Sequence, residues 1–195
     1  MNRTYVRRTA ASVAAFAIAG LAILAAPTPA QASGPEDGGM HCVARATQAT
    51  PEAVCFPTFA AALQFASGGR LTTGPKNDAE LAAKVNAAND EANRLNASAF
   101  DTVISIEYTS TGWVGSELIW LGTGNCSTST GNIDYEIDTM PAGWVNVISS
   151  FRTFANCWDQ HWEDTFQGGD HVGYTSSRSN IGALMDNKTS SQRWS

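Results

Sequence analysis

The chain has 195 residues, 43% of them hydrophobic and 15% charged, with a formal net charge of −6. That is enough apolar material for one or two small domains. A mildly acidic balance argues against a nucleic-acid partner, because binding a phosphate backbone needs clustered cations.

In chain order, the first element is a leader. Arg3, Arg7 and Arg8 precede an apolar run from Ala10 to Ala26, and Ala30-Gln31-Ala32 follows Pro27 and Pro29. These are the charged, apolar and small-residue parts of a secretory signal over residues 1–32. Arg7-Arg8 admits a twin-arginine route, but no Phe-Leu-Lys-like continuation follows, so general secretion is the expectation. No other apolar stretch is long enough to span a bilayer. The mature chain then starts near Ser33, is secreted and extracellular, and needs no membrane after signal removal. It has lost three arginines and no acids, leaving nine Lys and Arg against 18 Asp and Glu, a charge of −9.

Cys42, Cys55, Cys126 and Cys157 all lie beyond the signal. An even count in an exported chain reads as two disulfides. Three connectivities are open, of which Cys42–Cys55 with Cys126–Cys157 is the simplest.

Residues 33–99 read as a helical N-terminal region. In "CFPTFAAALQFASGG" the residues Phe56, Phe59, Ala60 and Leu63 recur at helix spacing, and Gly68-Gly69 supplies the stop. In "NDAELAAKVNAANDEANRL" the stripe is Leu81, Val85, Ala88, Ala92 and Leu95, behind an Asn77/Glu80 capping box. Both stripes are narrow and largely Ala, so these helices should pack on something else or on each other. "RLNASAFD" reads as a linker. From Phe100 the pattern alternates, rich in β-branched and aromatic residues, and all six tryptophans fall in this half. Residues 100–195 are therefore expected to form a small β domain.

This half repeats itself. Tyr108 precedes Gly115 by seven residues with Trp113 inside, and Trp162 precedes Gly169 by seven with Phe166 inside. Further on, Ser149-Ser150 and Ser190-Ser191 are each followed, one residue later, by Arg152 and Arg193. The aromatic should pack over a tight hairpin whose Gly takes a conformation that a Cβ would forbid. The Ser-Ser pair should satisfy the backbone at the next strand entry. Two such folded hairpins make a sandwich.

Aromatic-x6-Gly with (Asn/Asp)-(Asn/Asp)-x-x-(Ser/Thr)-Ser, in two copies, resembles the βγ-crystallin domain. With its export signal and helical leader, the chain looks most like secreted actinomycete members of the Streptomyces metallopeptidase-inhibitor type. The resemblance covers roughly residues 100–195, and departs from the pattern at Val145, where an Asn or Asp is expected. It implies a mainly β fold, a two-Greek-key βγ-crystallin-like sandwich preceded by a short α-helical N-terminal region. It also implies two calcium sites. Asp186, Asn187 and Ser190 would meet the hairpin after Tyr108, and Ser149 would meet the second hairpin at Glu163. Thr109 offers no carboxylate to the first site, and Val145 removes an acid or amide from the second. Binding should therefore be weak, with Kd of about 0.1–1 mM. The alternative is that Asp186 and Ser190 only cap the strand entry.

Catalytic patterns are missing. His41, His161 and His171 form no H-E-x-x-H, and the sequence has no Cys-x-x-Cys or G-x-S-x-G. Glu163-Asp164 beside His161 reads as hairpin surface charge, so the chain is not expected to be an enzyme. Trp120, Trp144 and Trp158 could anchor a protein or a sugar, with core packing as the alternative. The resemblance points first to a monomeric protein-binding module of peptidase-inhibitor type, with a secreted peptidase as its partner. The segment "GTGNCSTSTGNIDYEIDTMPAG", pinned at Cys126, would then be the presented loop. The other reading is a calcium-stabilised extracellular structural or stress protein.

Overall fold

Alternating apolar residues in "VISIEY" and "ELIWLG" build the two longest strands, and everything else is arranged around them. The computed structural model describes residues 38–95 and 102–195; the expected signal at 1–32 and the boundary at 99/100 lie outside the described residues. The strands are β1 (His41–Arg45), β2 (Val54–Phe56), β3 (Thr102–Ser110), β4 (Val114–Gly122), β5 (Tyr135–Ile137), β6 (Ser150–Thr153), β7 (Asp159–Trp162), β8 (His171–Thr175) and β9 (Ser191–Trp194). Two helices, α1 (Phe59–Ala66) and α2 (Asp78–Arg94), complete the fold with a 3-10 turn at Thr165–Gln167. Among the described residues the architecture is mainly β, with two sheets and two helices.

One sheet runs β2-β1-β4-β3-β6 and the other β5-β9-β7-β8. The first sheet is a middle layer. Along β4, Leu118 and Trp120 join the core shared with Ile137 and Trp194 of the second sheet. Ile119 and Leu121 point the other way, toward Leu63 of α1 and Leu81 and Val85 of α2. Period-2 alternation thus serves two cores at once. The Ala-rich helices do pack on something else: the outer face of this sheet.

The N-terminal region is more than helical. "HCVAR" forms β1, which pairs antiparallel with β2 and parallel with β4, so the region extends the sheet of the β half. Cys42 stands opposite Cys55 in that hairpin and is bonded to it; the second disulfide is Cys126–Cys157. Thr58 caps α1, and Phe56 lies in β2 rather than on the helix. Ala60 is exposed, and α1 buries Ala62, Leu63 and Ala66. Asn77 caps α2 by accepting from Glu80 N–H at 2.9 Å, while the Glu80 carboxylate reaches Lys76 N–H at 2.7 Å. Of the expected α2 stripe, Leu95 is exposed, and Asn89 joins the buried face.

Two segments cross between the sheets. β5 follows β4 in sequence yet pairs with β9. In return, the stretch after β8 sends Arg178 to bridge Phe151 of β6.

Candidate functional site

At one end of the sandwich the two strand entries form a matched pair of loops. Ser149 N–H donates to Tyr108 C=O at 2.9 Å, and Ser190 N–H to Trp162 C=O at 2.8 Å. The Ser150 hydroxyl donates to Ser110 C=O at 2.6 Å and Ser191 to Asp164 C=O at 2.7 Å. Those two hydroxyls accept from Trp113 N–H and Gln167 N–H at 3.2 and 3.1 Å. The Ser-Ser pairs therefore satisfy the backbone at each strand entry. Gly115 and Gly169 both have positive φ, +94° and +73°.

The loops are also tied across. Asn146 N–H donates to Thr189 C=O, and Asn187 N–H to Ile148 C=O, both at 2.9 Å. Asn146 and Asn187 share a left-handed backbone, with φ of 59° and 56°. That conformation aims each amide at the opposite loop: Ser190 Oγ donates to Asn146 Oδ1 at 3.0 Å, and Ser149 Oγ to Asn187 Oδ1 at 3.5 Å.

Asn187 and Ser149 therefore meet, as do Asn146 and Ser190. The partners expected for the hydroxyls are exchanged: Ser190 sits beside the hairpin that carries Glu163, and Ser149 beside the hairpin after Tyr108. Strand pairing of β9 with β7 and of β6 with β3 requires this. Asp186 is exposed on the second loop. Glu163 forms an ion pair with Lys188 at 3.0 Å, and this hydrogen-bonded ammonium holds its carboxyl below the usual range. Asn146 is a site residue that sequence reasoning passed over, because attention fell on Val145 beside it. The oxygen set suits a hard cation, but its amides and hydroxyls are neutral and Lys188 competes for one acid.

A second cluster lies inside the sandwich. Glu107 on β3 and Asp159 and His161 on β7 are each 0% exposed, and one potential ligand atom from each lies within 4.8 Å of the others. His161 Nε2 is 3.4 Å from Asp159 Oδ2 and 3.7 Å from Glu107 Oε2. Burial, reinforced by the nearby Asp159 charge, pushes the Glu107 carboxyl well up. Burial also raises Asp159 to about 8 and lowers His161 to about 4. Burial thus favours the uncharged form of each of the three groups. Sequence reasoning missed Glu107 and Asp159 because an acid in an alternating strand reads as solvent-facing.

The remaining candidates are structural or peripheral. His41 pairs with Glu117, and His171 stacks on Trp162 with ring centroids 4.1 Å apart. Trp120 and Trp144 are core residues, at 0% and 1% exposure, whereas Trp158 is 47% exposed beside Ser127, Thr128 and Asn156. The long segment after β4 places Ile137 and Met140 in the core and forms β5.

No protein-family model matches the sequence, and no curated protein does either. Among solved structures, the chain is similar to a βγ-crystallin domain from Flavobacterium johnsoniae, at 18% identity and TM-score 0.35, over 48% of this chain and 93% of that one. It is similar to a βγ-crystallin domain from Clostridium beijerinckii at 15% identity and TM-score 0.35, over 47% and 95% of the two chains. The N-terminal domain of protein S gives 17% identity and TM-score 0.34, over 47% and 94%. This likeness takes in about half of the chain and carries neither a ligand nor an activity to it.

Proposed function

We propose that this is an exported, non-catalytic structural or stress protein of βγ-crystallin type, two Greek keys whose paired loops bind calcium weakly and are stabilised by it. The observation that supports this reading is the reciprocal exchange of Asn146 to Ser190 and Asn187 to Ser149. Left-handed Asn residues cost backbone energy. The same costly arrangement occurs twice and converges oxygen atoms on each site. The exchanged β5 and Arg178 segments support the Greek-key reading, and two disulfides fit an oxidising, extracellular setting. Asp186 lies on the second loop, and Glu163 pairs with Lys188 of that loop. The ion, rather than a secreted peptidase, is then the partner.

A peptidase-inhibitor role lacks a comparable observation. Within the segment that would be presented, Tyr135–Ile137 form β5, and Cys126, Ile137 and Met140 lie in the core.

The test is a thermal melt of the chain from Ser33 in several millimolar calcium and in chelator. Ligand at ten to a hundred times Kd stabilises by about 1.4–2.7 kcal/mol, a shift of several degrees. Ser149→Ala with Ser190→Ala should abolish the shift. A wild-type melt that calcium does not move, or an equal shift in the double variant, overturns the reading.

A further inference from the structure

The interior cluster is a different site from the paired loops. Taking Glu107 with Asp159 and His161, and with Gln192 of β9 beside them, the geometry assigns to this cluster a buried site for a divalent transition metal of the zinc class, held by two carboxylates and one imidazole.

Four observations carry this. All four residues are fully buried between the sheets. Buried polar atoms are almost always satisfied, yet Glu107 Oε2, Asp159 Oδ1 and Gln192 Oε1 have no hydrogen-bond partner. The two carboxyls thus keep unfilled acceptor capacity beside an imidazole in a dry interior.

The distances suit a tetrahedral ion. Donors at 2.0–2.1 Å from zinc stand about 3.3–3.4 Å apart. His161 Nε2 is 3.4 Å from Asp159 Oδ2 and 3.7 Å from Glu107 Oε2. Gln192 Nε2 lies 3.3 Å from Asp159 Oδ2 and 3.4 Å from His161 Nε2. That atom stands almost equally far from both ring nitrogens, 3.2 Å from Nδ1 and 3.4 Å from Nε2, so the amide lies beside the imidazole as a neighbour of the donor set.

The donors are braced from outside. His161 Nδ1 is 3.2 Å from Thr189 Oγ1, a hydroxyl that can accept from Nδ1–H and leave Nε2 as the ligand atom. Glu107 Oε1 accepts from Ser105 Oγ at 2.9 Å, and that hydroxyl accepts from Trp194 Nε1 at 3.0 Å. Phe151 lies against the imidazole with centroids 4.5 Å apart.

Charge and coordination select the metal class. Two carboxylates neutralise a dication in a dry interior. Calcium takes six to eight oxygens and magnesium keeps waters, whereas this buried cluster offers few donors, one of them an imidazole nitrogen.

The experiment is to unfold the purified chain in denaturant without reductant, then refold it with Zn²⁺, with Co²⁺ or with chelator. After exhaustive dialysis, metal is counted by mass spectrometry and the Co²⁺ form is examined by visible absorption. The expected result is about one tightly held ion per wild-type chain, with tetrahedral Co²⁺ bands. Glu107→Gln, close to isosteric, should lose both; His161→Gln is the second variant. Ser149→Ala with Ser190→Ala should keep both, which separates this site from the calcium loops. Folded wild type that retains no metal overturns the proposal. Undiminished metal and bands in folded Glu107→Gln overturn it equally, by placing the ion elsewhere.

Discussion

Gly115 shows how tightly a single backbone position can be held. Its φ is +94°, and a Cβ there would stand 2.6 Å from Thr109 Oγ1, the atom that accepts from Ser116 N–H at 3.0 Å. Gly115→Ala should cost about 1–3 kcal/mol in urea unfolding. Gly173→Ala, with open space around its Cβ, should leave the midpoint nearly unchanged. Lys188 makes the complementary point about affinity, since its ammonium occupies Glu163 at 3.0 Å. Lys188→Ser frees that carboxylate and removes a competing cation, so calcium Kd, read by titration calorimetry, should fall several-fold. An unchanged Kd would show that Glu163 takes no part in the site. Both positions were half-legible in the sequence. The aromatic-x6-Gly spacing marks Gly115, but nothing in "DNKTSS" announces that its Lys reaches across to Glu163.

Elements are joined here by side chains that a hydropathy reading discards. Asn89 lies on the buried face of α2; its Nδ2 donates to Val103 C=O at 2.9 Å, and its Oδ1 accepts from Val103 N–H at 3.1 Å. One amide thus replaces a missing neighbour strand for that residue of β3. Asn89→Ala should cost about 2–4 kcal/mol, because both backbone groups are left dry and unpaired. Asn77→Ala, which removes only a cap, should cost about 1 kcal/mol. A smaller loss at Asn89 than at Asn77 would mean that water replaces the amide. The periodic apolar positions of α2 could be read directly from the sequence. Asn89 could not, because a polar residue within a helical stripe is indistinguishable from a surface one until its partner strand is known. Glu107 was hidden for the same reason. β3 lies between two layers, and only the tertiary fold reveals that neither face of it meets solvent.

The whole molecule combines a legible repeat with an illegible partner for it. Matched serines, glycines and aromatics in two copies disclose the sandwich, since each copy must solve the same hairpin and strand-entry problem. β1 escaped notice because five residues with one basic end carry too little pattern, and its parallel pairing with β4 is a long-range fact. The two disulfides close sequence separations of 13 and 31 residues. In the chain-entropy model these are worth about 3 and 4 kcal/mol. Replacing Cys126 and Cys157 by Ser should therefore lower stability more than replacing Cys42 and Cys55. The reverse order in urea unfolding would show that the β1–β2 hairpin anchors more than its loop length implies.

The exchanged segments have a consequence for the order in which the chain can assemble. β9 lies between β5 and β7, so the second sheet stays open along its middle until residues 191–194 are available. A chain emerging from its N-terminus, from a ribosome or through a membrane pore, would hold β5, β7 and β8 ready with their central rung missing. Closure is then a late, concerted step, in which the last strand is inserted and both repeats lock together.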